Sequence, residues 1–151
     1  MLTVLVVLVA AIVLLLVFWR GNFLAPPKND RTLRMAFMDI GQGDATLIKF
    51  PNGEKMLVDC GQDAAILAAL GRNLRWNDRH IDYLVATHPD ADHYGGCIDV
   101  LTRYQVRHIY FNGFEKESSQ LLSQFHTTVA AEIQTDGADF TLVSTTQKLV
   151  I

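Results

Sequence analysis

The chain has 151 residues, 50% hydrophobic and 19% charged, with 13 Lys and Arg against 16 Asp and Glu and a formal net charge of −3. That length supports one ordinary domain with a real core, and the mildly acidic balance gives no sign of a basic nucleic-acid groove, although nucleic acid remains possible as a substrate where a bound cation supplies local positive charge. Cys60 and Cys97 are too few for a disulfide framework and form no Cys-x-x-Cys pair, so they read as two small buried residues that specify no redox compartment.

In chain order, Leu2 to Trp19 (LTVLVVLVAAIVLLLVFW) carries no charge. As a helix it would span about 27 Å, close to the hydrocarbon core of a bilayer, with Trp19 and Arg20 at the interface. No basic leader precedes it and FLAPP is a poor cleavage site, so residues 1–20 are expected to be an uncleaved single-pass membrane anchor. Residues 21–31, with Pro26 and Pro27, read as an extended linker, and residues 32–151 as the globular part. Arg20, Lys28, Arg31 and Arg34 all follow the apolar run, which by charge bias alone places the globular part in the cytoplasm.

Leu33, Met35 and Phe37 alternate with Arg34, Ala36 and Met38, which is strand periodicity. GQGD (Gly41 to Asp44) turns the chain and Ala45 to Phe50 resumes it. Asn52-Gly53 signals a hairpin, and Lys55 to Cys60 is the return strand. Asp63 to Leu70 predicts a short helix capped by Asp63 and stopped at Gly71. Ile81 to His88 is a buried strand, Gly96 to Gln105 a helix and Val106 to Asn112 a strand. Ser118 or Ser119 caps a further helix with Leu122, Phe125 and Val129 on one face, and strands ADFTLVS and KLVI follow. A meander followed by strand–helix–strand units predicts sheets with helices packed outside, an α/β (α+β) fold.

THPDADHYGG (Thr87 to Gly96) sets His88, Asp90, Asp92 and His93 at the carboxyl end of a predicted strand, where α/β folds place their sites. A loop there can turn positions 88 and 90 to one point and 92 and 93 to a neighbouring one, and imidazole with carboxylate at each suits zinc, manganese or iron. Two such ions roughly 3.5–4 Å apart would polarise a phosphoryl or carbonyl oxygen. Gly95-Gly96 permits the sharp turn out of the loop and is expected to present backbone donors to an anionic group. The plainer alternative is that Asp90 and Asp92 only cap and turn the loop.

This segment, preceded by DIGQGDATLI and LVDCG, resembles the metallo-β-lactamase fold superfamily, and within it the soluble domain of ComEC-type DNA-uptake (competence) proteins. The resemblance covers Leu33 to about Asn112. The superfamily's usual loop is His-x-His-x-Asp-His; Asp90 stands at the second histidine, a departure that the competence branch shares. The resemblance implies an αββα sandwich, two divalent metal ions (zinc ahead of manganese), and hydrolysis, with DNA as the substrate in the competence branch. It assigns His88 and Asp90 to the first metal, and Asp92 and His93 to the second. Asp92 would also steer the attacking water. Asp59 would orient a metal-bound histidine from behind, with turn capping as its alternative. Asp39, Gln42 and Asp44 would line the substrate approach, or only form the glycine turn.

The resemblance leans toward an extracytoplasmic globular part, where incoming DNA would be met, and that side is the expectation. The family draws further ligands, two histidines and a bridging carboxylate, from downstream. A chain ending at Ile151 is therefore expected to hold half a site and to be inactive. His80, His108 and His126 read as structural histidines. A hydrolase of another substrate (a small ester, thioester or lactam) and a non-catalytic binding module are the competing functions. Asp90 weighs against the lactam.

Overall fold

A computed structural model describes residues 11–13, 32–113 and 119–143, and Thr32–Ile151 form a compact unit distinct from Met1–Arg31. Six strands, β1 (Arg34–Phe37), β2 (Thr46–Lys49), β3 (Lys55–Val58), β4 (His80–Ala86), β5 (Gln105–Phe111) and β6 (Asp139–Leu142), lie in chain order in one sheet. β1, β2 and β3 pair antiparallel, as the Asn52-Gly53 turn predicts; Gly53 adopts a φ of 94° and its N–H donates to the Phe50 carbonyl. From β3 to β6 every pair is parallel. A parallel neighbour needs a crossover, and helices supply each one: α1 (Ala65–Asn73), then α2 (Ala91–Tyr94) with α3 (Cys97–Arg103), then α4 (Gln120–Asp136). α1 packs on α3 and α3 on α4.

The register explains which sheet face the helices cover. Ala36, Leu47, Leu57, Leu84, Ile109 and Phe140 form one row across all six strands, and its middle members Leu47, Leu57 and Leu84 are fully buried. Beside Leu84 and Ile109, Ala86 pairs with Phe111, which packs against Phe125 of α4. The flanking rows alternate to the other face. They include Met35, Ile48, Met56, Tyr83 and His108, and Phe37, Thr46, Val58, Val85 and Tyr110. Met35 is 52% exposed and Phe37 82%, so the larger apolar residues of β1 lie away from the helices and small Ala36 points toward them.

Helix ends follow local chemistry, with one correction. Asp63 accepts the Ala65 N–H at 2.9 Å, yet α1 runs through Gly71 to Asn73. A side chain at Gly71 would meet nothing, so glycine there weakens the helix without ending it, and the Lys49 amine satisfies the Asn73 carbonyl. Ser119 caps α4 by accepting from Leu122 N at 3.0 Å, and Gly137 ends it with a φ of 72°. Phe125 and Val129 are buried and Leu122 packs beside them, as the helical spacing predicts. KLVI and Ser118 lie outside the described residues.

Glu132 of α4 is 5% exposed and accepts the Val106 N–H at 2.6 Å. Burial pushes its pKa up, the Val106 N–H opposes that, and the neighbouring Asp136 charge adds to the rise. A carboxyl whose folded pKa is raised binds its proton more tightly in the native state. Its contribution to stability therefore falls as pH rises from the ordinary value of 4.5 through the folded value. Glu132→Gln keeps an acceptor for Val106 without the charge and is expected to be more stable than the parent near neutral pH, with the advantage shrinking near pH 4.5. Glu132→Ala orphans the N–H and is expected to lose about 1–3 kcal/mol. Urea denaturation at both pH values reads this, and a Gln variant less stable than the parent at neutral pH would refute it.

The membrane placement requires correction. Among the described residues no helix is long and apolar enough to cross a membrane. The longest, α4, has 17 residues and includes Ser, Thr, Gln, Glu and Asp, whereas a span needs about 20 mostly apolar ones. The Leu2 to Trp19 run lies outside the described residues except for the helical residues 11–13. Neither the single-pass anchor nor the extracytoplasmic assignment is carried further.

Candidate active site

Three chain segments meet beyond the carboxyl ends of β3 and β4. They are the glycine turn between β1 and β2, the Asp59–Gly61 turn after β3, and the Thr87–Gly96 loop after β4. Main-chain hydrogen bonds tie them together. Gly61 N donates to Asp44 O at 3.0 Å, Cys60 N to His93 O at 2.7 Å, and Gly96 N to Gly61 O at 2.9 Å. The glycines allow the close approach: a Cβ on Gly43 would stand 1.9 Å from the Asp92 carbonyl oxygen, and one on Gly96 would stand 2.3 Å from the Cys60 oxygen.

Asp59 organises this junction. It is 5% exposed and its φ of 57° is the one left-handed value at a non-glycine among the described residues. Asp tolerates that region better than most residues, and such strain is held only where the surroundings over-determine it. They do so here. Asp59 Oδ1 accepts Thr87 N at 2.8 Å, and Oδ2 accepts the Thr87 hydroxyl at 2.7 Å and His93 Nδ1 at 3.0 Å. Thr87 Oγ1 also lies 2.9 Å from His88 Nδ1.

Of the expected ligands, His88 is brought beside His93 and, separately, beside Asp90. The His88 and His93 rings have centroids 3.7 Å apart, and His88 Nε2 is 3.6 Å from Asp90 Oδ2. Asp92 lies in the first turn of α2 with its main chain packed against Gly43. Asp39, Gln42 and Asp44 are exposed on the glycine turn. The Asp39 carbonyl accepts from Arg72 at 3.2 Å, so α1 braces that turn. His80 pairs with Asp82 at 3.2 Å, His108 with Asp139 at 3.2 Å, and His126 packs edge-on to Phe111 and Phe125.

Two expectations fail. Gly95 N donates to Ala91 O and Gly96 N to Gly61 O, so these donors serve the loop's own fold and do not receive an anion. Cys60 and Cys97 are not separate thiols. Their Cα atoms are 5.2 Å apart and their sulfurs form a disulfide, buried on both sides. The pairing follows from the Gly61–Gly96 contact, which places the residue after Asp59 against the first residue of α3 and is invisible at a sequence separation of 37. Thr87, between Asp59 and His88, is the site residue that motif reading passed over.

Residues 38–142 match the family description of the Metallo-beta-lactamase superfamily. The chain belongs to this superfamily. It is also 30% identical over 108 residues to the Beta-lactamase-like protein 2 homolog of Caenorhabditis elegans, an alignment covering 69% of this chain and 37% of that protein. The chain thus spans well under half of that relative's length.

Metallo-beta-lactamase superfamily proteins usually hold divalent metal ions, often zinc, and the donor chemistry of this loop fits such ions: two imidazoles close together, carboxylates at Asp90 and Asp92, and a carboxylate behind His93. Among the described residues no three His, Cys, Asp or Glu side chains converge on one metal-holding point. The fit is therefore one of donor type and pairing, with His88 beside Asp90 and His93 backed by Asp59.

Proposed function

We propose that this chain is the ligand-bearing portion of a metal-dependent hydrolase, acting on phosphodiester bonds in the manner of the competence-type branch. The observation that carries the reading is the pairing of His88 and His93, with Asp90 beside one and Asp59 anchoring the other. His88 and Asp90 would hold one divalent ion, and Asp92 with His93 a second, zinc ahead of manganese. When bound, such ions supply Lewis acidity at a phosphoryl oxygen. The protein's own part is to orient the donors: Asp59 holds His93 by Nδ1, and the Gly43 contact holds the main chain of Asp92 in place. Asp92 would steer the attacking water, and the exposed Asp39, Gln42 and Asp44 would border the approach. Asp90 in place of the second histidine supports a phosphodiester over a lactam, because a harder oxygen donor suits manganese as well as zinc.

The test uses the complete reading frame, stripped with chelator and reloaded with zinc or manganese. The expected result is metal-dependent hydrolysis of bis(p-nitrophenyl) phosphate that falls at least about 100-fold in Asp92→Asn with unchanged far-UV circular dichroism. Turnover that survives chelation, or that survives Asp92→Asn, would overturn the two-metal reading. Faster turnover of p-nitrophenyl acetate than of the diester would move the substrate class to small esters.

A further inference from the structure

Asp59 touches one histidine of the loop directly and the other through a third side chain. Oδ2 lies 3.0 Å from His93 Nδ1 and 2.7 Å from Thr87 Oγ1, which in turn lies 2.9 Å from His88 Nδ1. An ionised carboxylate only accepts, so His93 Nδ1 and the Thr87 hydroxyl both donate to it. A hydroxyl has one hydrogen. With that hydrogen directed at Asp59, Thr87 Oγ1 can only accept from His88, and His88 Nδ1 must carry the proton. The Thr87 main chain is fixed in the same place, because its N–H donates to Asp59 Oδ1 at 2.8 Å. Both rings then have Nδ1 protonated and Nε2 bare. His88 Nε2 lies 3.6 Å from Asp90 Oδ2, beyond hydrogen-bond reach, so that carboxylate does not hold a competing proton on Nε2.

We propose that Thr87 is a positioning residue: its hydroxyl relays the Asp59 carboxylate to His88, so that a single buried acid sets the proton position on both histidines and leaves both Nε2 lone pairs available to a divalent cation. The cation part rests on the function proposed above; the relay itself does not. The two histidines are coupled at Asp59: losing the acid releases both rings, whereas losing the Thr87 hydroxyl releases His88 alone.

The test is done on the full chain, metal-free and 15N-labelled, at a pH where imidazoles are neutral. Long-range 1H–15N correlation shows which ring nitrogen bears the proton, and His88→Gln assigns the His88 signals. The parent and Thr87→Ser are expected to show His88 and His93 as Nδ1–H. Thr87→Val, which keeps the shape and loses the hydroxyl, is expected to move His88 toward Nε2–H, the form imidazole prefers in water, with His93 unchanged. Zinc affinity against a chromophoric chelator should fall about 10–100-fold in Thr87→Val and recover in Thr87→Ser. Parent protein with His88 as Nε2–H overturns the relay, even if the valine variant does not fold, and so does a folded Thr87→Val with an unshifted His88. If the tautomers behave as stated and the parent binds no zinc, the relay stands and the metal-dependent reading of the site falls.

Discussion

Gly43→Ala is expected to disrupt the site more than any other single methyl addition. The new Cβ would stand 1.9 Å from the Asp92 carbonyl oxygen and 2.9 Å from its carbonyl carbon, both main-chain atoms that no rotamer change can move. Gly43 also holds a φ of 96°, which an L side chain adopts only under strain. Relief requires the glycine turn to separate from α2, and this would displace Asp92 and loosen the Gly61–Asp44 hydrogen bond. The cost should be about 3 kcal/mol or more, within the range of severe single substitutions. Gly41→Ala is the control: its φ is 81° but a Cβ there meets nothing within 4 Å, so it should cost only the conformational term of about 1–2 kcal/mol. Chemical denaturation of the two variants side by side measures the difference. Equal losses would mean that the glycine turn and the ligand loop are not in contact in solution.

Asp59→Ala carries the second large effect. It removes the acceptor of Thr87 N, of the Thr87 hydroxyl and of His93 Nδ1 at once, in a place where Asp59 itself is 5% exposed. Orphaned buried donors cost about 1–3 kcal/mol each, and their losses in one network are not additive. Alanine also fits the φ of 57° poorly. A total of about 3–5 kcal/mol is expected, which lowers Tm by on the order of 10 °C for a chain of this size. Asp59→Asn should recover much of the stability, because Asn tolerates the left-handed region and can still accept Thr87 N. Its amide would present hydrogens to His93 Nδ1 where the carboxylate presented a lone pair, so divalent-ion affinity should stay low. Differential scanning calorimetry and chelator competition together separate the two effects. An Asn variant that recovers both would refute the assignment of Asp59 as the orienting acid.

Much of this architecture was legible residue by residue. The alternation around Met35, the Asn52-Gly53 turn and the apolar run into Thr87 gave β1 to β4 because each signal is local: a period of two, a turn dipeptide, a buried stretch. The candidate ligands stood out because His88, Asp90, Asp92 and His93 crowd six positions. What stayed hidden depends on distance through space. The sequence does not say that Met35 and Phe37 face away from the helices, since alternation defines two faces without choosing one. It does not reveal that Gly95 and Gly96 use their N–H groups internally, because that follows from how tightly the turn after β3 packs on them. Thr87 looked like a strand residue until Asp59, 28 positions earlier, supplied its partner. The Leu2 to Trp19 run shows the limit of composition, which measures how apolar a segment is and not what surrounds it.

The bond between Cys60 and Cys97 gives the chain a closed ring. Within that ring lies the exposed stretch around Arg75 and Trp76, a natural place for a protease to cut. A cut there divides the backbone into two pieces, one carrying Asp59 and the other Thr87, His88 and His93. The pieces would nevertheless remain a single covalent molecule, with the acid still tethered beside the histidines it holds. For this protein an intact polypeptide and an intact site are therefore separate properties, and only a reductant makes losing the first equivalent to losing the second.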